Sequence, residues 1–134
     1  MKTLSNLESL DTNTLKLILR NAVAEKQEKA QNDFLTFVKM VWPDFIQGYH
    51  HKIYAEKLNR VATGELKRLI VNMPPRHTKS EFASHLFPAY FMGRNPKAKL
   101  IQTTHTGELS IRVGRKTKNL LESDEYSEIF PDVT

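Results

Sequence analysis

Lys79 and Ser80 stand side by side at the end of a short loop, MPPRHTKS, that runs from Met73 to Ser80. An ammonium and a hydroxyl in that order suit one chemistry. The lysine can reach the β- and γ-phosphates of a nucleotide, and the hydroxyl can ligate the Mg²⁺ that bridges them. The loop follows the apolar run Leu69-Ile70-Val71 and precedes a helix-like segment, which is the setting of a P-loop. The full pattern is G-x-x-x-x-G-K-[ST]. Lys79 and Ser80 fit it, while Met73 and Thr78 occupy the two glycine positions. Backbone N–H groups of the loop and first helical turn would point at the phosphates, aided by the positive end of the helix dipole. Glycine normally serves there because the backbone enters φ > 0 and approaches the phosphate closely, which a β-branched residue such as Thr78 resists. Either the loop is strained or its path differs. A strand, a Pro-containing loop and a lysine-led helix also occur together in proteins that bind no nucleotide.

The elements that would position this loop can be read from periodicity. Leu15, Ile18, Leu19, Ala22 and Val23 recur at helical spacing behind Asp11-Thr12-Asn13, predicting a helix over 13–30. Its far end, 25–31, is polar and reads as a solvated extension, an arm or linker. Phe34, Phe37, Val38 and Val41 form a shorter stripe behind an Asn32 or Asp33 cap, and Trp42-Pro43 breaks it. A third helix is expected over 49–63, with Ile53, Leu58 and Val61 on its apolar side and Gly64 as its stop. Strands are expected at 67–72 and 98–103. Between them, 79–92 reads as a helix closed by Gly93, with Pro88 kinking it or ending its regular part early. Thr106 caps a final helix with Glu108 in its first turn and Leu109, Val113, Leu120 and Leu121 inside. Strand, loop, helix, strand, helix predicts parallel strands joined by a right-handed crossover. The expected fold class is therefore α/β: N-terminal helices followed by the first βαβα units of a P-loop parallel sheet, as an incomplete domain.

Composition bounds the function. The 134 residues are 40% hydrophobic, enough for one modest domain, and contain no cysteine, which removes disulfides, thiolate metal sites and thiol catalysis. Five histidines show no H-x-x-x-H or H-E-x-x-H spacing, and the adjacent His50 and His51 read as ordinary helix residues. No apolar stretch has the length of a membrane span, and the first residues lack the apolar core of a signal peptide, so a soluble, cytosolic protein is expected. Net charge is +5. From Arg94 to Lys118 the basic residues Arg94, Lys97, Lys99, Arg112, Arg115, Lys116 and Lys118 face the single acid Glu108. Arg112, Arg115 and Lys116 fall at i, i+3 and i+4, one helical patch suited to phosphates of a nucleic acid or equally to solvent.

The stretch from Phe34 to Pro131 resembles the N-terminal part of the ATPase domain of the large terminase subunit of tailed bacteriophages and prophages, the motor that packages DNA into the prohead. The likeness is carried by DFLTFVKMVWPDFIQGYHHKIYAEKLNRVATGELKRLIVNMPPRHTKSEFASHLFPAYFMGRNPKAKLIQTTHT, then GRKTKNLL and EYSEIFP. In that family the loop commonly reads PPRHGKS, so Pro74, Pro75, Arg76, His77, Lys79 and Ser80 agree and Thr78 departs. The resemblance implies ATP held by Pro75, Arg76, His77, Thr78, Lys79 and Ser80, with Mg²⁺ on Ser80. It implies catalytic roles for Lys79 and for Arg76, the arginine sensing or stabilising the γ-phosphate; a salt bridge bracing the backbone is the alternative for Arg76. The segment from Thr103 to Thr106 would end the second strand on the loop's side. Residues 1–32 would form a helical arm and 33–134 the N-terminal portion of the P-loop ATPase domain. The acidic strand end, coupling motif and nuclease domain of the family have no counterpart here, so a fragment that binds rather than turns over ATP is expected. Implied partners are double-stranded DNA, the portal, the small terminase subunit and further copies of the chain, in the host cytoplasm and at no membrane. A helicase-like or kinase-like P-loop enzyme, or a non-catalytic basic module that binds DNA or a motor subunit, are the alternatives.

Overall fold

Phe34 and Phe37 meet Phe82, Tyr90 and Tyr126 edge-on or tilted, with ring centroids 5.2 to 6.2 Å apart, and this aromatic cluster is what the helices pack around. The computed structural model describes residues 11–133. In chain order the helices are α1 (Thr12–Asn32), α2 (Phe34–Val41), α3 (Tyr49–Ala62), α4 (Lys79–Glu81), α5 (Phe87–Arg94), α6 (Gly107–Leu121) and α7 (Asp124–Ile129). A π-helical stretch, Phe82–Leu86, joins α4 to α5 without a break.

The expected α/β sheet is overturned. Among the described residues there is no strand, and residues 67–74 and 98–104 carry no regular structure. The first segment does alternate: Leu69, Val71 and Met73 pack on the aromatic core while Ile70 is 88% exposed. That alternation is what the sequence registers. A strand also needs a ladder partner about 4.8 Å away, and no backbone hydrogen bond links the two segments. Ile101, 90% exposed, likewise covers nothing. The architecture is all-helical.

Asp33 is the pivot between α1 and α2. Its carboxylate accepts from the Thr36 N–H at 2.8 Å and the Thr36 hydroxyl at 2.7 Å, capping α2, and from Asn59 Nδ2 at 2.8 Å. The Asn59 amide oxygen accepts in turn from the Phe34 N–H at 2.8 Å, tying α3 to the start of α2. Burial pushes the Asp33 carboxyl up, but these bonds from Thr36, Asn59 and the Leu35 N–H outweigh it and hold the group below the usual carboxylate range.

Residues 1–10 of the expected N-terminal arm, like residue 134, lie outside the described residues. In α1 the apolar residues Leu17, Ile18, Leu19 and Val23 are exposed, and it is the polar far end that docks. Ala30 is fully buried and the Gln31 amide donates to the Ile129 carbonyl at 2.6 Å. In α3 the buried face is His51, Tyr54, Ala55 and Leu58, a rotation away from the expected one, and Ile53 is 47% exposed. Gly64 ends that helix as expected, at φ +79° with its N–H on the Val61 carbonyl.

Pro88 does not end its helix. It lacks the N–H that would reach Ser84, the π-helical stretch lies just before it, and Gln102 Nε2 donates to the freed Ser84 carbonyl at 2.9 Å. Gly93 lies inside α5 rather than closing it, and a Cβ there would sit 2.5 Å from the Phe130 ring, so it serves close packing against the segment after α7. That last helix brings in Tyr126, whose hydroxyl donates to the Ala89 carbonyl at 2.8 Å; burial pushes its pKa up to about 12.

Candidate phosphate-binding site

Thr78 adopts φ 59°, ψ 10°, the left-handed conformation that the loop pattern gives to glycine, and Lys79 begins α4 directly after it. Arg76 is also left-handed at φ 63°, and among the described residues these are the two non-glycine positions with positive φ. Such a conformation costs roughly 1–2 kcal/mol for an L residue. Thr78 is strained in this loop. The other glycine position behaves differently: Met73 shows no such conformation and lies against the aromatic core.

The N–H groups of Thr78, Lys79, Ser80 and Glu81 make no hydrogen bond to the described residues, whereas the Phe82 N–H closes on the Thr78 carbonyl at 2.9 Å. Lys79, half-buried, folds its ammonium back across the loop to the Met73 carbonyl at 3.4 Å, a long contact that an anion can displace. Ser80 is exposed, as are Pro75, Arg76 and His77. Arg76 enters no ion pair among the described residues. His77 Nδ1 donates to the Pro75 carbonyl at 2.8 Å, which leaves Nε2 as an outward acceptor.

Behind the loop stands a wall from α3. His51 is buried; its Nδ1 accepts from the Gly48 N–H at 2.7 Å, which puts the ring proton on Nε2. Nε2 then donates to Thr78 Oγ1 at 2.7 Å, and the Thr78 hydroxyl donates to the His77 carbonyl at 2.6 Å. Burial first, then neighbouring His50 and His77, hold the His51 pKa below its ordinary value, so the ring is kept neutral for this bonding. Tyr54, also on α3, donates its hydroxyl to the Lys79 carbonyl at 3.3 Å. His51, expected from the sequence as an ordinary helix residue, is buried behind the loop. Its i, i+3, i+4, i+7 relation to Tyr54, Ala55 and Leu58 was the available signal.

The expected basic patch meets the loop across a groove of about 1070 Å³. Ser80, Thr104, Arg112, Arg115 and Lys116 all line it, so the structure brings the loop, the end of the 98–104 segment and α6 to one concavity. Lys116 is not free there. Its ammonium lies 2.6 Å from both oxygens of Glu81, an ion pair that joins α6 to α4. Arg112 and Arg115 remain exposed without ion pairs among the described residues, while Glu108 lines the same groove and offsets part of their charge. Thr106 caps α6 as expected, its hydroxyl accepting from the Leu109 N–H, and Thr104 bonds the Thr106 carbonyl at 2.7 Å.

The donor set fits a phosphate better than a bare metal. Four open N–H groups, an ammonium and a hydroxyl suit anionic oxygen, and among the described residues no group of three or more His, Asp or Glu side chains could hold a metal ion. Mg²⁺ at Ser80 would therefore come with the phosphates it bridges. Among the described residues no helix is long and apolar enough to cross a membrane. Comparison with family models, with curated proteins and with solved structures gives no match for this chain.

Proposed function

We propose that this chain binds the phosphates of ATP with Mg²⁺ through the Arg76–Ser80 loop, as part of a DNA-packaging motor of the terminase large-subunit kind. The observation that carries the reading is the left-handed turn at Thr78, followed directly by Lys79 and Ser80 with open backbone N–H groups. Lys79 exchanges the Met73 carbonyl for phosphate oxygen, Ser80 ligates Mg²⁺ brought by the nucleotide, and Arg76, exposed beside them, neutralises charge on the γ-phosphate. Double-stranded DNA, the portal, the small terminase subunit and further copies of the chain are the partners that follow from the resemblance, with the host cytoplasm as the place of action. The test is titration of Mg·ATP by calorimetry into the chain and its Lys79→Ala variant, both checked for folding by circular dichroism. Binding to the chain and its loss in the variant is the expected result; equal heats in both would end the reading.

A second reading has its own observation, the unpaired Arg112 and Arg115 on an exposed groove wall. A basic module that holds nucleic acid would bind duplex DNA without nucleotide, lose affinity steeply with salt, and ignore Lys79→Ala.

A further inference from the structure

We infer that His51 is a positioning residue for the phosphate loop, holding Thr78 by its hydroxyl in a backbone conformation that glycine would adopt unaided. The inference rests on the phosphate-binding reading and deepens it. It goes further in assigning the shape of the loop to a side chain 27 residues earlier in the sequence.

A β-branched residue resists φ 59°, yet the loop has that value and not an extended one. Strain of this kind persists only where the surroundings over-determine it. The surroundings of Thr78 supply two bonds to one oxygen: Oγ1 receives the Nε2 proton of His51 at 2.7 Å and passes its own proton to the His77 carbonyl at 2.6 Å. A valine of the same shape would have neither. The anchor itself is fixed, since His51 is buried, its other nitrogen is held by the Gly48 N–H, and its ring packs on Phe45 and Phe82 at 4.8 and 5.4 Å between centroids. Phe82 is also the residue whose N–H closes on the Thr78 carbonyl, so the clamp and the first turn of the helix share one support. In this arrangement histidine and threonine together take the part that a glycine plays alone.

The inference makes the two residues interdependent, and a double-mutant cycle reads that. His51→Phe keeps the ring and removes the donor; Thr78→Gly removes the need for it; His51→Gln keeps a donor near Nε2. Two readouts are taken on the chain, these variants and the double variant. One is hydrogen exchange at the Phe82 amide, which needs no nucleotide. The other is Mg·ATP affinity by calorimetry. Loss of one buried hydrogen bond predicts about tenfold faster exchange and about tenfold weaker affinity for His51→Phe. Little change is expected for the same substitution in the Thr78→Gly background, and His51→Gln should retain most of both. Should His51→Phe fail to fold, Thr78→Val interrogates the same bond from the other side and predicts the same losses. Exchange that is coupled in the cycle, with no ATP binding by any variant, supports the clamp and overturns the phosphate reading. Exchange that rises equally in both backgrounds makes His51 a packing residue only and overturns the inference.

Discussion

Beside Phe34 and Phe37 the polar groups that turn inward are paired: the Tyr126 hydroxyl on the Ala89 carbonyl, Asp33 on Thr36 and Asn59, Asn59 on the Phe34 N–H. The loop from Met73 to Ser80 does the reverse. It keeps Arg76 and Thr78 in left-handed backbone and leaves the N–H groups of Thr78 to Glu81 open. The two regions touch, because Phe82 belongs to the aromatic cluster and also accepts the weight of the first turn after the loop. The close-packed aromatic cluster makes a strained and unsatisfied loop tolerable a few residues away.

Emptying the core should have the largest effect on both regions. Phe37 is fully buried and meets Tyr90, Tyr126 and Phe130. Phe37→Ala is expected to cost about 3–5 kcal/mol in urea unfolding, which for a small domain is a large part of the total. A loss below about 1 kcal/mol would mean that the cluster is not the support described. A smaller effect tests close packing from the opposite direction. At Gly93 a Cβ would fall 2.5 Å from the Phe130 ring, so Gly93→Ala is expected to destabilise by about 1–3 kcal/mol despite the better helix propensity of alanine. Gly114, within α6, has nothing within 4 Å of such a Cβ. Gly114→Ala is therefore expected to stabilise by about 0.5–1 kcal/mol. The opposite signs at two helical glycines, read in the same melt, separate contact from propensity.

That pair also marks where the sequence stops being informative. Local signals were legible: Thr106 as a cap, Gly64 as a stop, Asp33 as one of two candidate caps, and the conflict at Thr78, which left strain and a different path both open, each decided by residues within a few positions. Gly93 read as a helix stop because its reason, Phe130, lies 37 positions away. Leu69, Ile70 and Val71 read as a strand because alternation reports which side chains face a core and not whether a neighbouring chain completes a ladder. The burial of His51 in place of Ile53 depends on how α3 is rotated against Phe45 and Phe82, contacts that no window along α3 contains. The pattern of residues 73–80 singled out the loop, while the histidine behind it is visible only in the geometry.

The finest distinction between the two regions is their response to acid. His51 has a folded pKa below its ordinary 6.5, with His50 and His77 facing it and Gly48 donating to its Nδ1. Above pH 6.5 the ring is neutral in both the folded and the unfolded chain and its bonds contribute fully. As pH falls below 6.5 the unfolded chain takes up the proton first, so stability declines until the pH passes the folded value, where the ring charges and Nδ1 ceases to accept from Gly48. His85, lowered by burial and then by Lys116, with Glu81 opposing, adds to the same step. Asp33, held low by its bonds to Thr36 and Asn59 against the cost of burial, contributes above 3.8 and is lost only as pH falls through its folded value. Urea midpoints should therefore decline in two steps, one starting near pH 6.5 from the loop side and one starting near 3.8 from the capped core. His51→Gln should shrink the first step and leave the second in place. A midpoint that holds level from pH 7 down to 4, or a first step that His51→Gln does not reduce, would remove the histidine from the loop's support and return the strain at Thr78 to the backbone alone.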